Sequence, residues 1–147
     1  MDKEEILALL QNQRDNLDKN PLKCYKNRKK SLKLLYKNII LMKNEIFDAL
    51  KKDLNKSEVE SYMSEIGLVL SEISYMIRHC RKFSKPKRVR TPISHFHSKS
   101  YNIPSPYGMV LIMSPWNYPF MLTIEPLVDA ISAGNSVVLK PSNRYRM

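Results

Sequence analysis

Two short stretches carry residue types that could do chemistry. The first is SPWNYPF, residues 114–120, which sets an indole and an uncharged carboxamide, Asn117, between two prolines. A neutral amide donates a hydrogen bond without a proton to lose, so it can stabilise a developing oxyanion. The second is VVLKPS, residues 137–142, where Lys140 closes an apolar run and could offer a cation to a polar ligand. By residue type alone each has a plainer reading. Asn117 suits a helix start, because Asn is a favoured cap; Lys140 suits a strand end reaching solvent, and Trp116 suits a core aromatic.

The elements that must place these residues follow from pattern. Met109 to Met113 are all apolar and bounded by Gly108 and Ser114-Pro115, which fits a strand buried on both faces of a parallel sheet. Phe120, Ile124, Leu127, Val128 and Ile131 follow at helical spacing, with Pro119 suited to the first turn and Gly134 to the position just past the last. Pro126 should kink that helix or shorten its regular part. NSVVLK then reads as a second buried strand. Strand, helix and strand within some thirty residues make a βαβ unit, and ligands of such sheets sit beyond the carboxyl ends of the strands. Both stretches lie there, although the first loop lacks the G-x-G-x-x-G of a standard dinucleotide site.

The charge belongs to the rest of the chain. Of a formal +11 over 147 residues, residues 1–100 hold 22 Lys and Arg against 12 Asp and Glu, a net +10. That region has only Gly67, whereas the remainder holds Gly108, Gly134 and most of the prolines, so the first part reads as helices and the second as strands and turns. Ile6, Leu9, Leu10 and Leu17 form one apolar stripe; Leu32, Leu35, Tyr36, Ile39, Ile40, Met42, Ile46 and Leu50 form a longer one. Breaks are expected at Asn20-Pro21 and over residues 55–57, with Ser57 as a cap, giving three N-terminal helices of which the last runs from about Glu58 to Phe83. KPKRVRTP, residues 85–92, reads as a basic linker, and HFHSKSYN as an extended segment or hairpin arm with His95 and His97 on one face, half a metal site without further ligands. The division expected is a helical region, 1–92, an arm, 93–106, and a partial cofactor-binding βαβ unit, 107–147.

Composition excludes several classes. A chain 43% hydrophobic and 27% charged is globular, and no apolar run approaches the roughly 20 residues of a membrane span. The N-terminus MDKEEILALL is acidic where a signal peptide would be basic, so the cytoplasm is the expected location. Cys24 and Cys80 read as free thiols, and Cys80 beside His79 as a buried structural thiol rather than a catalytic pair. The patch Lys26, Arg28, Lys29, Lys30 and Lys33 could face nucleic acid, but a solvated basic face accounts for it, and nucleic acid is not the expected partner.

Residues 105–142, and above all PWNYP and AGNSVVLKPS with 24 residues from Trp116 to Lys140, resemble the N-terminal cofactor-domain signature of the NAD(P)-dependent aldehyde dehydrogenases, in the style of the class 3 and fatty-aldehyde branch. The resemblance implies an α/β fold, with N-terminal helices and the start of a Rossmann-like parallel sheet, and NAD or NADP as cofactor. It also implies oxidation of an aldehyde to an acid by a cysteine thiolate, through a thiohemiacetal that passes hydride to the nicotinamide. Asn117 then matches the oxyanion donor, Met113, Ser114, Pro115 and Trp116 the loop along the cofactor, and Lys140 the lysine on the adenosine ribose. Asn143 stands where the family usually has a glutamate that shares the ribose. The family's nucleophilic cysteine and glutamate base lie downstream of these 147 residues, so the chain alone is expected to be inactive. Its expected partners are an aldehyde substrate and either a second copy or an intact relative; a non-catalytic remnant and a basic nucleic-acid-binding helical protein are the alternatives.

Overall fold

In the computed structural model, residues 2–15 and 19–143 are described, so Leu17 and the end of NRYRM, residues 144–147, lie outside the described residues. Helix α1 (Lys3–Asp15) buries none of its residues, and Ile6 and Leu9 of the first stripe face solvent. The second stripe is not one helix. It divides at Met42 (φ −92°, ψ 12°) into α2 (Tyr25–Leu41) and α3 (Lys43–Leu54). The turn rotates the later residues, so Leu32, Ile39, Phe47 and Leu50 are buried while Ile40 and Met42 are exposed. With the helical stretch that follows, the first region holds four segments of α-helix among the described residues rather than three, besides a 3-10 turn at Pro21–Lys23.

The fourth is composite. Asn55 ends α3 in the left-handed region (φ 53°), and Ser57 Oγ accepts the Glu60 N–H at 3.2 Å to open α4 (Glu58–Ser61). A π turn (Tyr62–Ile66) follows, then α5 (Gly67–Phe83). The Gly67 N–H bonds to the Tyr62 carbonyl, and a Cβ at Gly67 would stand 2.8 Å from that oxygen. This accounts for the lone glycine of the basic region. The extra residue of the π turn lets Glu65 and Ile66 both point inward, each fully buried.

The core lies between helices. Leu32 and Ile39 of α2, Phe47 of α3, and Ile66, Val69 and Ile73 of the composite helix meet Val128 of α6 (Met121–Ala133). Each such side chain contributes about 1.5–3 kcal/mol by leaving water. Helix α2 and the composite helix therefore pack on one side of α6, and the two-stranded sheet packs on it too. Arg28 pins the layers together from within: Nη1 donates to Ser84 Oγ and the Ser132 carbonyl, both at 3.2 Å, Nη2 to the Lys23 carbonyl at 3.0 Å, and Nε to the Leu22 carbonyl. It is 8% exposed, so it is not part of a surface patch with Lys26, Lys30 and Lys33.

The basic run expected as a linker contains strand β1 (Lys87–Val89), which pairs antiparallel with β2 (Ser100–Asn102). Between them Pro92 starts a 3-10 turn (Ile93–His95), so His95 and His97 do not share a strand face. Among the described residues no group of His, Cys, Asp and Glu could hold a metal.

Strands β3 (Met109–Met113) and β4 (Ser136–Lys140) are parallel, with Met109 opposite Ser136 and Met113 opposite Lys140. The α/β class and the βαβ unit are as expected. Helix α6 runs unbroken through Pro126, whose ring is exposed and whose missing N–H costs one bond. Gly134 ends it at φ 97°, donating to the Ala130 and Ile131 carbonyls. The strands are not buried on both faces: Leu111 is 58% and Met113 69% exposed, because α6 covers one side of a two-stranded sheet.

Candidate functional site

The parallel register brings Met113 and Lys140 side by side at the carboxyl ends of the strands. Ser114 continues the pairing, its N–H donating to the Lys140 carbonyl at 3.2 Å. The Ser114 hydroxyl is buried and shares a 2.7 Å hydrogen bond with that of Thr123 on α6, which fixes where the loop leaves the sheet. Pro115, Trp116, Asn117 and Tyr118 then run along the surface before Phe120 opens α6. Lys140 is exposed, as is Trp116 at 49%, so Trp116 is not a core aromatic. An open groove of about 650 Å³ lies alongside, between Leu50 and Asp53 of α3 and Ser114, Pro115 and Phe120.

Asn117 does not cap α6. The helix begins after Phe120, and Glu65 supplies the cap: Oε2 accepts the N–H groups of Phe120 at 2.9 Å and Met121 at 3.2 Å. The Asn117 side chain is exposed and its amide has no hydrogen-bond partner among the described residues, while its backbone carbonyl accepts from Lys56 Nζ at 3.4 Å. Lys56 Nζ also lies 2.6 Å from Glu65 Oε1 and 4.1 Å from the centroid of the Tyr118 ring.

Lys56 and Glu65 are what sequence reasoning missed. They lie some sixty residues before the loop they hold, beyond any local pattern. One signal was available: Glu65 is the only charged residue from 61 to 71, in an otherwise apolar and hydroxylic run.

Elsewhere both thiols are free. Cys80 is buried, with Sγ 3.9 Å from the Tyr25 and Ser132 carbonyls, and His79 Nδ1 turns to the Tyr75 carbonyl. Cys24 is exposed and also free. Where α6 runs beside α5, partial burial and then the nearby Glu72 carboxylate push Asp129 up to about 6, and the same two causes raise Glu125.

The model of the aldehyde dehydrogenase family matches residues 1–146. A 4,4'-diaponeurosporen-aldehyde dehydrogenase of Staphylococcus aureus is 46% identical over 115 residues, 78% of this chain and 25% of that protein. The chloroplastic aldehyde dehydrogenase family 3 member I1 of Arabidopsis thaliana is 35% identical over 139 residues, 95% of this chain and again 25% of the relative. The structure of a substrate-bound Staphylococcus aureus AldH superposes with a TM-score of 0.90 at 40% identity, covering 93% of this chain and 30% of that one. This chain thus spans about a quarter of the length of the curated relatives it matches.

Proposed function

The chain belongs to the aldehyde dehydrogenase family, and from that premise we propose that it supplies the oxyanion donor and one wall of the cofactor cleft for oxidation of an aldehyde to a carboxylic acid. One observation carries this reading. The Asn117 amide stands exposed, with no hydrogen-bond partner among the described residues, on a braced loop beyond the carboxyl ends of two parallel strands, where such sheets bind ligands. An amide so placed gains most from negative charge that appears on the substrate oxygen in the transition state, where no solvent need reorganise.

The residues fit NAD or NADP. A nucleotide needs exposed backbone to lie along and a donor for its ribose hydroxyls, and the neighbouring Met113 and Lys140, with the loop through Pro115 and Trp116, offer both on one rim. Bound there, the nicotinamide would accept the hydride. Lys140 would donate to the ribose, and Met113, Ser114, Pro115 and Trp116 would line the cofactor, with Ser114 holding the loop to β4. Residues 1–92 are the supporting region, helical except for β1, which pairs with β2 of the arm, 93–106; residues 107–147 are the cofactor unit, and the nucleophile and base belong to the family's downstream segment.

A second reading has its own support. The exposed Leu111 and Met113 leave an apolar sheet face that favours pairing with a second copy or a longer relative.

The test joins this chain to the remaining three quarters of the Staphylococcus aureus relative. Asn117→Ala should lower kcat by about 10²- to 10³-fold with little change in cofactor KM. Lys140→Ala should do the reverse, raising cofactor KM and sparing kcat. An Asn117→Ala chimaera that turns over like its parent would refute the oxyanion assignment.

A further inference from the structure

One buried ion pair holds both ends of the segment that carries the Asn117 amide. Glu65 Oε2 fixes the N–H groups of Phe120 and Met121, and Lys56 Nζ fixes the Asn117 carbonyl at 3.4 Å and stands over the Tyr118 ring at 4.1 Å. The two are joined by a 2.6 Å contact, with side chains 9% and 0% exposed. Taking two charges out of water is costly, and well-packed apolar residues of similar volume often serve stability as well. Capping α6 needs only the carboxylate. The cation's further contacts are to Asn117 and Tyr118, ahead of the helix, and a cap has no use for them.

We infer that Lys56 and Glu65 are positioning residues, which fix the peptide at Asn117 and so the direction in which its side-chain amide donates. The inference rests on the oxyanion reading above. Without the clamp the backbone at residue 117 can shift, and the amide carried on the same Cα shifts with it. Misplacement by about 1 Å can cost on the order of 10²-fold in rate.

Two measurements test this apart from the reading it rests on. In the 147-residue chain, Lys56→Met and Glu65→Gln should speed amide exchange at Phe120 and Met121 about tenfold, with α5 unchanged. Unchanged exchange there would overturn the clamp. In the chimaera with the Staphylococcus aureus segment, Lys56→Met should lower kcat by up to about 10²-fold at constant cofactor KM, and Lys56→Arg should restore most of it. Added to Asn117→Ala, Lys56→Met should lower kcat no further, because both act through one amide. Full kcat in Lys56→Met where Asn117→Ala is crippled, or losses that add completely, would overturn the positioning role alone. Full kcat in Asn117→Ala would remove the oxyanion reading and this inference together. If Lys56→Met loses its helical circular dichroism, Glu65→Gln, which keeps the size and one acceptor, answers the same questions.

Discussion

The helical layer is built from charged segments that carry an apolar stripe and β3 from a wholly apolar run, yet the helices bury their apolar residues the more fully. Leu32, Ile66, Val69 and Ile73 are fully buried, whereas Leu111 and Met113 of the sheet are 58% and 69% exposed. A helix satisfies its own backbone and needs partners for one stripe only, and α2, α3, α5 and α6 provide these for each other. A parallel strand needs neighbours at its edges and cover on both faces, and here α6 gives one. Apolarity says what a segment can bury. What covers it depends on which other elements the chain brings to that face.

The difference can be broken most directly by shortening matched side chains. Ile73→Ala should cost about 2–5 kcal/mol in urea unfolding followed by circular dichroism, because the cavity opens where helices meet. Leu111→Ala should stay within about 0.5 kcal/mol. Equal losses would mean that the sheet face is covered in solution. A smaller effect probes the seam between the layers. Gly134→Ala forces a Cβ into a residue at φ 97° and within 2.8 Å of the Arg28 guanidinium, which its four hydrogen bonds keep from moving aside. We expect a loss of about 1–3 kcal/mol; an unmoved unfolding midpoint would show that the guanidinium yields.

The smallest effect concerns pH. Asp129 titrates near 6 in the folded chain and near 4 when unfolded, so the folded chain holds a proton that the unfolded chain releases. The stability this contributes is fully present below about pH 4 and is lost as pH rises through about 6. Asp129→Asn should therefore flatten that slope and raise the unfolding midpoint slightly at pH 7.5. The side chain is largely exposed, so the gain is small. Identical pH profiles for parent and variant would refute the assignment.

Sequence was most legible where one residue decides one local event. Gly134 ending α6 and Ser57 capping α4 each act within a few residues, and the structure has them as read, whereas the apolar run of β3 is a strand as read but not one buried on both faces. It was least legible where distant segments meet. The break at Met42 has no proline or glycine to announce it, and the stripe continues across it because both helices share one core. Arg28 counts as surface charge until the Ser132 carbonyl, 104 residues on, is seen to accept from it. The candidate site divides in the same way. Residues 113–117 and Lys140 could be named from their motifs, but Lys56 and Glu65 could not, since their partners lie 61 and 55 residues away.

The π turn makes this protein sensitive to length at one place. Helices usually absorb the loss of a residue by shifting register, and removing one from Tyr62–Ile66 would even regularise the backbone and free Gly67 from its tight contact. The same deletion would rotate the flanking faces by about 100° relative to each other and carry the carboxylate at position 65 away from α6. A frame-preserving loss of one codon would thus turn the Ile66, Val69 and Ile73 face out of register with the core and leave the loop with nothing to hold it.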